Sequence, residues 1–429
     1  MHTDPVHIDF EGIIRGENIT PHVSLKTACT LLVLIGAATW FLAFRYYDAK
    51  LLWGIYFSFT IFFTGLCLGG SMLPVIFQVV RARWSAPVRR IYEAHSSFLV
   101  ISYMLIACLY FGKEHLFPWA RGPMPGREFW MQPDFTFGRH LFCLGILYYM
   151  IHVFVKKTLR TDIGLISEDS IGRKKLEDWE LLTQIKNWKG SEIEIPKTQV
   201  FLSYFAPVVI FFYGVFVSLF AFEFIMGMDT IWFSNLFGAY AFIGFIYIAW
   251  CGTGILINYL RKTYPGFAAQ LGTQQYWDMG KLTFAFGMLW AYFTFAQFLV
   301  QWYGNLPEET QWLILRTREL PWRPIAWTVF GMCWVFPFIV LMSCDVKKTP
   351  WLYGTVTIVP FLGLALQWIL VVMPQLSPDV IPFHGGFLLV TILTFLGFLG
   401  GYILCYFGFL SRYPYMAISS PMARNSIKW

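Results

Sequence analysis

Histidines and carboxylates recur at both ends of apolar runs in this chain, and groups of those types at those places can hand protons along. Glu93 and His95 open one run and His115 lies just beyond it; Arg139 and His140 open the next, with His152 near its other end. Glu223 and Asp229 bracket the end of a further run, Asp278 with Lys281 opens another, and Asp345 closes one more. Asn258, Gln297 and Gln367 lie deeper. An ionised side chain at the centre of a bilayer costs roughly 2.5–3.5 kcal/mol on insertion scales, so such groups are expected to be few and near helix ends. Taken singly, each reads as an interfacial cap or a snorkelling group. Asp278 and Lys281, three apart on one helix face, read as a local ion pair. Taken together, acids and histidines at both ends with Gln and Asn between are what two proton half-paths need.

Other chemistries find less support. A haem-b site needs two histidines at equal depth on neighbouring helices. His115 pairs with His140 on one side and His95 with His152 on the other. The separations within each helix are roughly 30 and 18 Å at 1.5 Å per residue, so at most one pair is level. The eight cysteines lie within or at the ends of apolar runs and none forms Cys-x-x-Cys, which leaves no iron–sulfur or zinc ligand set. No nucleotide loop, nucleophile triad or metal-hydrolase motif is present.

The elements that must position these groups are ten apolar runs, starting near Thr27, Leu51, His95, His140, Val200, Trp232, Met279, Ile325, Trp351 and Gly386. Each has the roughly 20 residues a spanning helix needs. Hydrophobic residues make up 57%, charged residues 13%, and mean hydropathy is +0.55. The expected class is an all-α polytopic integral membrane protein of about ten transmembrane helices, with two four-helix bundles flanked by one helix at each end. Residues 1–24 are polar, carry Asp4, Asp9, Glu11 and Glu17, and lack the apolar core of a signal peptide, so the first helix is expected to remain in place. Alternate loops on the side of the termini hold about 23 of the 32 Lys and Arg, and the opposite side about nine. By the positive-inside rule the rich side is cytoplasmic, with both termini inside. The net charge of +7 follows from this bias and is not a nucleic-acid signal.

The expected organisation is a cytoplasmic segment 1–24, a first helix 25–50, spans 2–4 of bundle one over 51–160, a cytoplasmic connector 161–199, span 5 over 200–230, bundle two over 231–375, a tenth helix 376–411 and a cytoplasmic tail 412–429. Within the connector, IGRKKLEDWELLTQIKNWKG mixes Trp179, Leu181, Leu182, Ile185 and Trp188 with charges and reads as an amphipathic interfacial helix or a solvated link. Two outer loops, 113–137 and 301–323, are long and rich in Trp, Phe and Pro. They mark the headgroup belt or present a surface to an extracytoplasmic partner.

Several stretches carry a resemblance. RWSAPVRRIYEAH (83–95), MGMDTIWFSNLFGAYAF (226–242), DMGKLTFAFGMLWAYFTFAQFLVQWYGNLPEET (278–310) and PFIVLMSCDVKK (337–348) resemble the NrfD-like membrane subunits. That group includes the membrane subunit of polysulfide reductase. The likeness is greatest to the second quinone-binding-type membrane subunit of bacterial alternative complex III, a quinol:cytochrome c (or electron carrier) oxidoreductase. It implies ten helices with two central four-helix bundles in the bacterial cytoplasmic membrane. It implies a homologous membrane subunit, an extracytoplasmic iron–sulfur protein and multihaem c-type cytochrome subunits as partners, and quinone or menaquinone as a possible non-covalent cofactor. It implies no haem or cluster in this chain. Asp229, Asp278, Gly280, Lys281, Glu308 and Glu309 match the family pattern. Departures are Cys333 where a His–Phe pair often precedes Pro337, Cys344 where Arg is frequent, and Gln367 at a polar or acidic position. They weigh against proton conduction through the second bundle.

Three functional readings follow. In the first, quinone lies near the outer ends of spans three to five with His115, Arg139 and His140 nearby. In the second, the chain conducts protons through Glu93, His95, Glu223, Asp229, Asp278, Lys281 and Asp345, or is a scaffold, without its own quinone site. In the third it is a secondary transporter, which would need Gly or Pro breaks at matched positions. Gly69/Gly70 and Gly400/Gly401 are not matched.

Overall fold

A computed structural model describes residues 19–178, 180–378 and 385–419. Among them are ten helices long and apolar enough to cross a membrane. Spans 1 to 10 are Val23–Ala43, Ala49–Val79, Arg89–Leu116, Pro133–Ser167, Ser191–Met228, Phe237–Thr263, Thr273–Gly304, Trp322–Met342, Pro350–Leu376 and Gly385–Arg412. No strand occurs among the described residues. The protein is an all-α, multi-pass membrane protein. Large apolar side chains stay exposed around its girth, among them Leu34, Phe41, Tyr204, Phe211, Phe298 and Ile339. Such a belt suits hydrocarbon as its solvent and would be a liability in water.

Nine of the ten helices begin before the apolar run that announces them, because the helix takes in residues that precede the run. Asp48 accepts the Lys50 N–H at 2.9 Å to start span 2. Proline opens spans 4 and 9, where its missing N–H costs nothing. Span 6 begins later than Trp232, because Asp229 holds the Ile231 and Trp232 N–H groups in a side-chain-closed turn.

Spans 2–5 pack as one four-helix group and spans 6–9 as another. Span 2 is the axis of the assembly: 94% of its apolar window is buried inside the protein. It lies against span 6 without a side chain between them at Gly69, where a Cβ would fall 2.2 Å from the Phe245 carbonyl oxygen. Spans 1 and 10, at opposite ends of the chain, are neighbours in space. Their backbones touch at Gly36 and Gly397, where a Cβ on Gly36 would meet the Gly397 Cα at 2.7 Å. The pair lies along spans 2 and 3. Both described ends therefore lie on one face, here the near face. The Tyr264 hydroxyl donates to the Thr20 carbonyl there, and Ser419 N–H donates to Asp162.

The connector is shorter than 161–199 and is folded. Span 4 runs on to Ser167 and span 5 starts at Ser191. Between them the helix Ser170–Asp178 and a turn at Leu181–Ile185 bury Leu176, Leu181 and Ile185. Trp188 fills the notch over Gly164 and donates to Glu168 at 3.0 Å. Leu176, Leu181 and Ile185 thus face protein, while Ile171 stays exposed, and the described residues form a helix and a separate turn. Trp179 lies outside the described residues, as do Asp4, Asp9, Glu11 and Glu17 and the tail from residue 420 onward. Residues 413–419 of that tail fold back into the protein, with Met416 and Ile418 fully buried.

Candidate functional site

The polar residues gather in three places. The first is on the far face, at the meeting of spans 4 and 5. Span 5 ends in a π-turn, Ala221–Ile225, whose extra residue shifts the helix register by about 100°. Glu223 sits in that turn and faces span 4. Its carboxylate accepts hydrogen bonds from Arg139 and, at 2.6 Å, from the Trp130 indole N–H, and lies 2.6 Å from His140 Nε2. Arg139 stacks on the Trp130 ring at 3.8 Å and donates to the Trp130 carbonyl at 3.1 Å. The His140 ring meets the Phe224 ring edge-on at 4.7 Å. These groups form one hydrogen-bonded unit with a single carboxylate at its centre.

Glu223 also lines a far-face cavity of about 1010 Å³, shared with Asp229, Arg121, Trp130, Met226 and Trp232. The Trp232 indole N–H is buried without a partner. Its ring stacks at 4.0 Å on Trp312, which in turn carries the Arg316 guanidinium at 3.8 Å. Asp229 is held by its own turn and by Gln375. His115 stands apart: it is half-buried, its carbonyl accepts from Arg121 at 3.2 Å, and its imidazole has no partner among the described residues.

Arg316, in the short far-face helix Pro307–Thr317, is buried and donates to three carbonyls, of Leu370, Val371 and Trp312. Its place has a backbone cause. Pro374 has no N–H, so the Leu370 carbonyl lacks its usual partner in span 9. Arg316 Nε supplies that donor at 3.1 Å. Burial pulls the guanidinium down to about 9, while the Asp229 charge pulls the other way. Glu308 and Glu309 lie in the first turn of the same helix, where the dipole favours acids.

The second place is on the near face. Arg89, Arg90, Glu93 and Asp162 form a fully buried cluster in which Arg90 bridges both carboxylates and Arg89 donates to Glu93 at 3.2 Å. Two cations against two anions leave it neutral, as burial demands. His95 is close in sequence but separately engaged. Its Nε2 lies 2.9 Å from the Thr253 hydroxyl and its Nδ1 meets the Tyr402 hydroxyl, tying span 3 to spans 6 and 10. Between the two faces, Thr64, Ser102 and Tyr148 form a buried hydroxyl chain with links of 2.8 and 3.0 Å.

The third place is the near end of bundle two. Asp278 takes Lys281 Nζ at 2.6 Å and Gln274 at 2.7 Å, and Lys281 is half-exposed. Asp345 is exposed in the short helix Cys344–Lys348. Deeper in this bundle, Gln367 accepts the Trp290 indole N–H at 2.9 Å.

Of the residues singled out in the sequence, the fold joins Arg139, His140 and Glu223, and it sets Asp229 on the same cavity. It separates His115 from them, and it keeps Glu93 and His95 in distinct contacts. Of the histidines considered for haem, His95 is held by Thr253 and Tyr402, His140 contacts Glu223, and His152 is exposed. No group of three or more potential metal-ligating side chains occurs among the described residues. Sequence reasoning passed over Trp130, Arg90, Asp162, Arg316 and Tyr402. Comparison with protein-family models and with curated proteins gave no match.

Proposed function

We propose that this chain is a membrane subunit of a respiratory quinol:electron-acceptor (cytochrome c) oxidoreductase, of the NrfD-like kind and nearest to the second quinone-binding-type membrane subunit of alternative complex III. In this reading it lies in the bacterial cytoplasmic membrane with both termini cytoplasmic, so the far face is extracytoplasmic. Its partners are a homologous membrane subunit, an iron–sulfur protein and multihaem c-type cytochromes. The observation that carries the reading is the 2.6 Å His140–Glu223 contact with Glu223 in the wall of a cavity of about 1010 Å³.

Oxidation of a quinol releases two electrons and two protons. The partner's iron–sulfur clusters would supply the electron acceptor. The protons need acceptors beside the quinol hydroxyls. Glu223 is the acceptor at the cavity wall, and His140 behind it is the second station. Arg139 and Trp130 fix the carboxylate, and the unpartnered Trp232 N–H is a donor for a quinone oxygen. The test is quinol oxidation by the intact complex. Glu223→Gln should lower turnover about 10²-fold, the low end for a positioned acid–base group. Unchanged turnover in both Glu223→Gln and His140→Phe, with all partners still co-purifying, removes the reading.

A second reading has its own support in the Thr64–Ser102–Tyr148 hydroxyl chain, placed between the near-face and far-face clusters. It makes the chain a proton-conducting subunit without a quinone site. Under it, Tyr148→Phe in liposomes lowers proton movement while electron flux persists; loss of neither rejects it.

A further inference from the structure

A pocket on the near face lies outside everything described so far. It forms where three spans end: Arg261 and Lys262 in the last turn of span 6, Thr273 and Tyr276 in the first turn of span 7, and Pro350 at the start of span 9. The short helix Pro265–Ala268 closes one side, and the volume is about 760 Å³.

Its charge is of one sign. Arg261 and Lys262 are the charged residues of its lining, and no carboxylate is among them. Span 7, 32 residues long, begins at this pocket, so the positive end of its dipole adds to the two cations. Cations in the last turn of span 6 also suit that helix's own dipole and do not by themselves require a ligand. Tyr276 supplies the independent sign. It is 2% exposed, belongs to the lining, and its hydroxyl has no hydrogen-bond partner. Buried hydroxyls almost always have one, so this donor lacks an acceptor the protein does not provide. The nearest carboxylate along span 7, Asp278, is already taken by Lys281 and Gln274.

Two cations, a helix N-terminus and a buried O–H donor are the recognition set for a phosphate oxyanion. The ends of spans 6, 7 and 9 place it at headgroup depth, where basic pockets between membrane helices take anionic lipid headgroups. We propose that this pocket binds a phosphate group at the membrane surface, using Arg261, Lys262, Tyr276 and the start of span 7. The phosphate belongs either to an anionic lipid headgroup or to a free phosphate ion.

Native mass spectrometry of the full-length protein in detergent tests this, with added phosphatidylglycerol, phosphatidylcholine or inorganic phosphate. Wild type should retain phosphatidylglycerol over phosphatidylcholine. Arg261→Gln with Lys262→Gln should weaken retention about 30-fold, since each cation near a charged surface is worth roughly a factor of five. Tyr276→Phe removes one O–H and no charge, and should weaken it about fivefold with the lipid-free melting temperature unchanged. Displacement of the lipid by millimolar inorganic phosphate supports the site with the free ion as occupant. Resistance to displacement, with the variants weakened, supports the lipid. Equal retention by wild type, the double variant and Tyr276→Phe overturns the proposal.

Discussion

His140 on span 4 and Glu223 on span 5 are 83 residues apart in sequence, yet their side chains lie 2.6 Å apart at the far face. The π-turn at Ala221–Ile225 brings them together, because it turns Glu223 toward span 4 without breaking the helix. The same carboxylate takes Arg139 and Trp130, so its orientation is fixed by two donors and the His140 contact, all from one neighbouring segment.

That arrangement orders the effects of substitution. Trp130→Phe keeps a ring beneath Arg139 and deletes only the indole donor to Glu223. Under the proposed function it should lower quinol oxidation by about tenfold, the worth of one hydrogen bond to a charged group, against about 10²-fold for Glu223→Gln. Steady-state turnover of the intact complex measures both. A loss in Trp130→Phe as large as in Glu223→Gln contradicts the ranking.

The two near-face ion pairs should behave in opposite ways. Arg90→Met leaves two carboxylates, Glu93 and Asp162, against the single cation Arg89 in a fully buried site and should cost about 3–5 kcal/mol. Lys281→Gln removes a partner that is 47% exposed from Asp278 and should change stability by less than about 0.5 kcal/mol. Denaturant titration of both variants in detergent distinguishes them, and similar losses would contradict the assignment of burial.

Arg316 and Pro374 should be coupled. Arg316→Met leaves the Leu370 carbonyl without a donor and should destabilise by about 1–3 kcal/mol. Adding Pro374→Ala restores a backbone N–H for that carbonyl and should recover part of the loss. A double-mutant cycle reads the coupling directly. Strict additivity would show that Arg316 does not stand in for the missing donor.

The ten-span topology places Lys174 and Glu308 on opposite faces, both exposed. In a background freed of native cysteines, Lys174→Cys and Glu308→Cys should react with an impermeant thiol reagent from different sides of sealed vesicles. Reaction of both from one side would require a different number of crossings.

How far the sequence could be read follows from what hydropathy reports. It measures whether a segment tolerates lipid, so all ten spans and the even count were legible. It says nothing of which helix lies beside which. The neighbouring of spans 1 and 10 through Gly36 and Gly397 was therefore hidden, and so was the meeting of His140 with Glu223. Charge rules misplace residues for a related reason. Arg90 counts as one more basic loop residue, and Asp162 falls beyond the apolar run of span 4, inside a stretch that reads as a polar link. Both are buried, because the helix outlasts its apolar run and the carboxylate finds a cation from another span. The aromatic far-face loops were visible as unusual, and the fold puts Trp130 and Arg316 of those loops into use. Their partners, Glu223 and the Leu370 carbonyl, are distant in sequence and gave no local signal.

Asp162 is completed by Ser419, whose N–H reaches it at 2.7 Å while its hydroxyl bonds to Thr161 at 2.9 Å. The donor is made 257 residues after the acceptor. In the order of synthesis, the first bundle therefore has one acceptor of its buried ion cluster unfilled until the five spans that follow it have been made. The half of the protein that is synthesised first is closed last, by a five-residue strap, Tyr415–Ser419, that the second bundle and the tenth span carry to it.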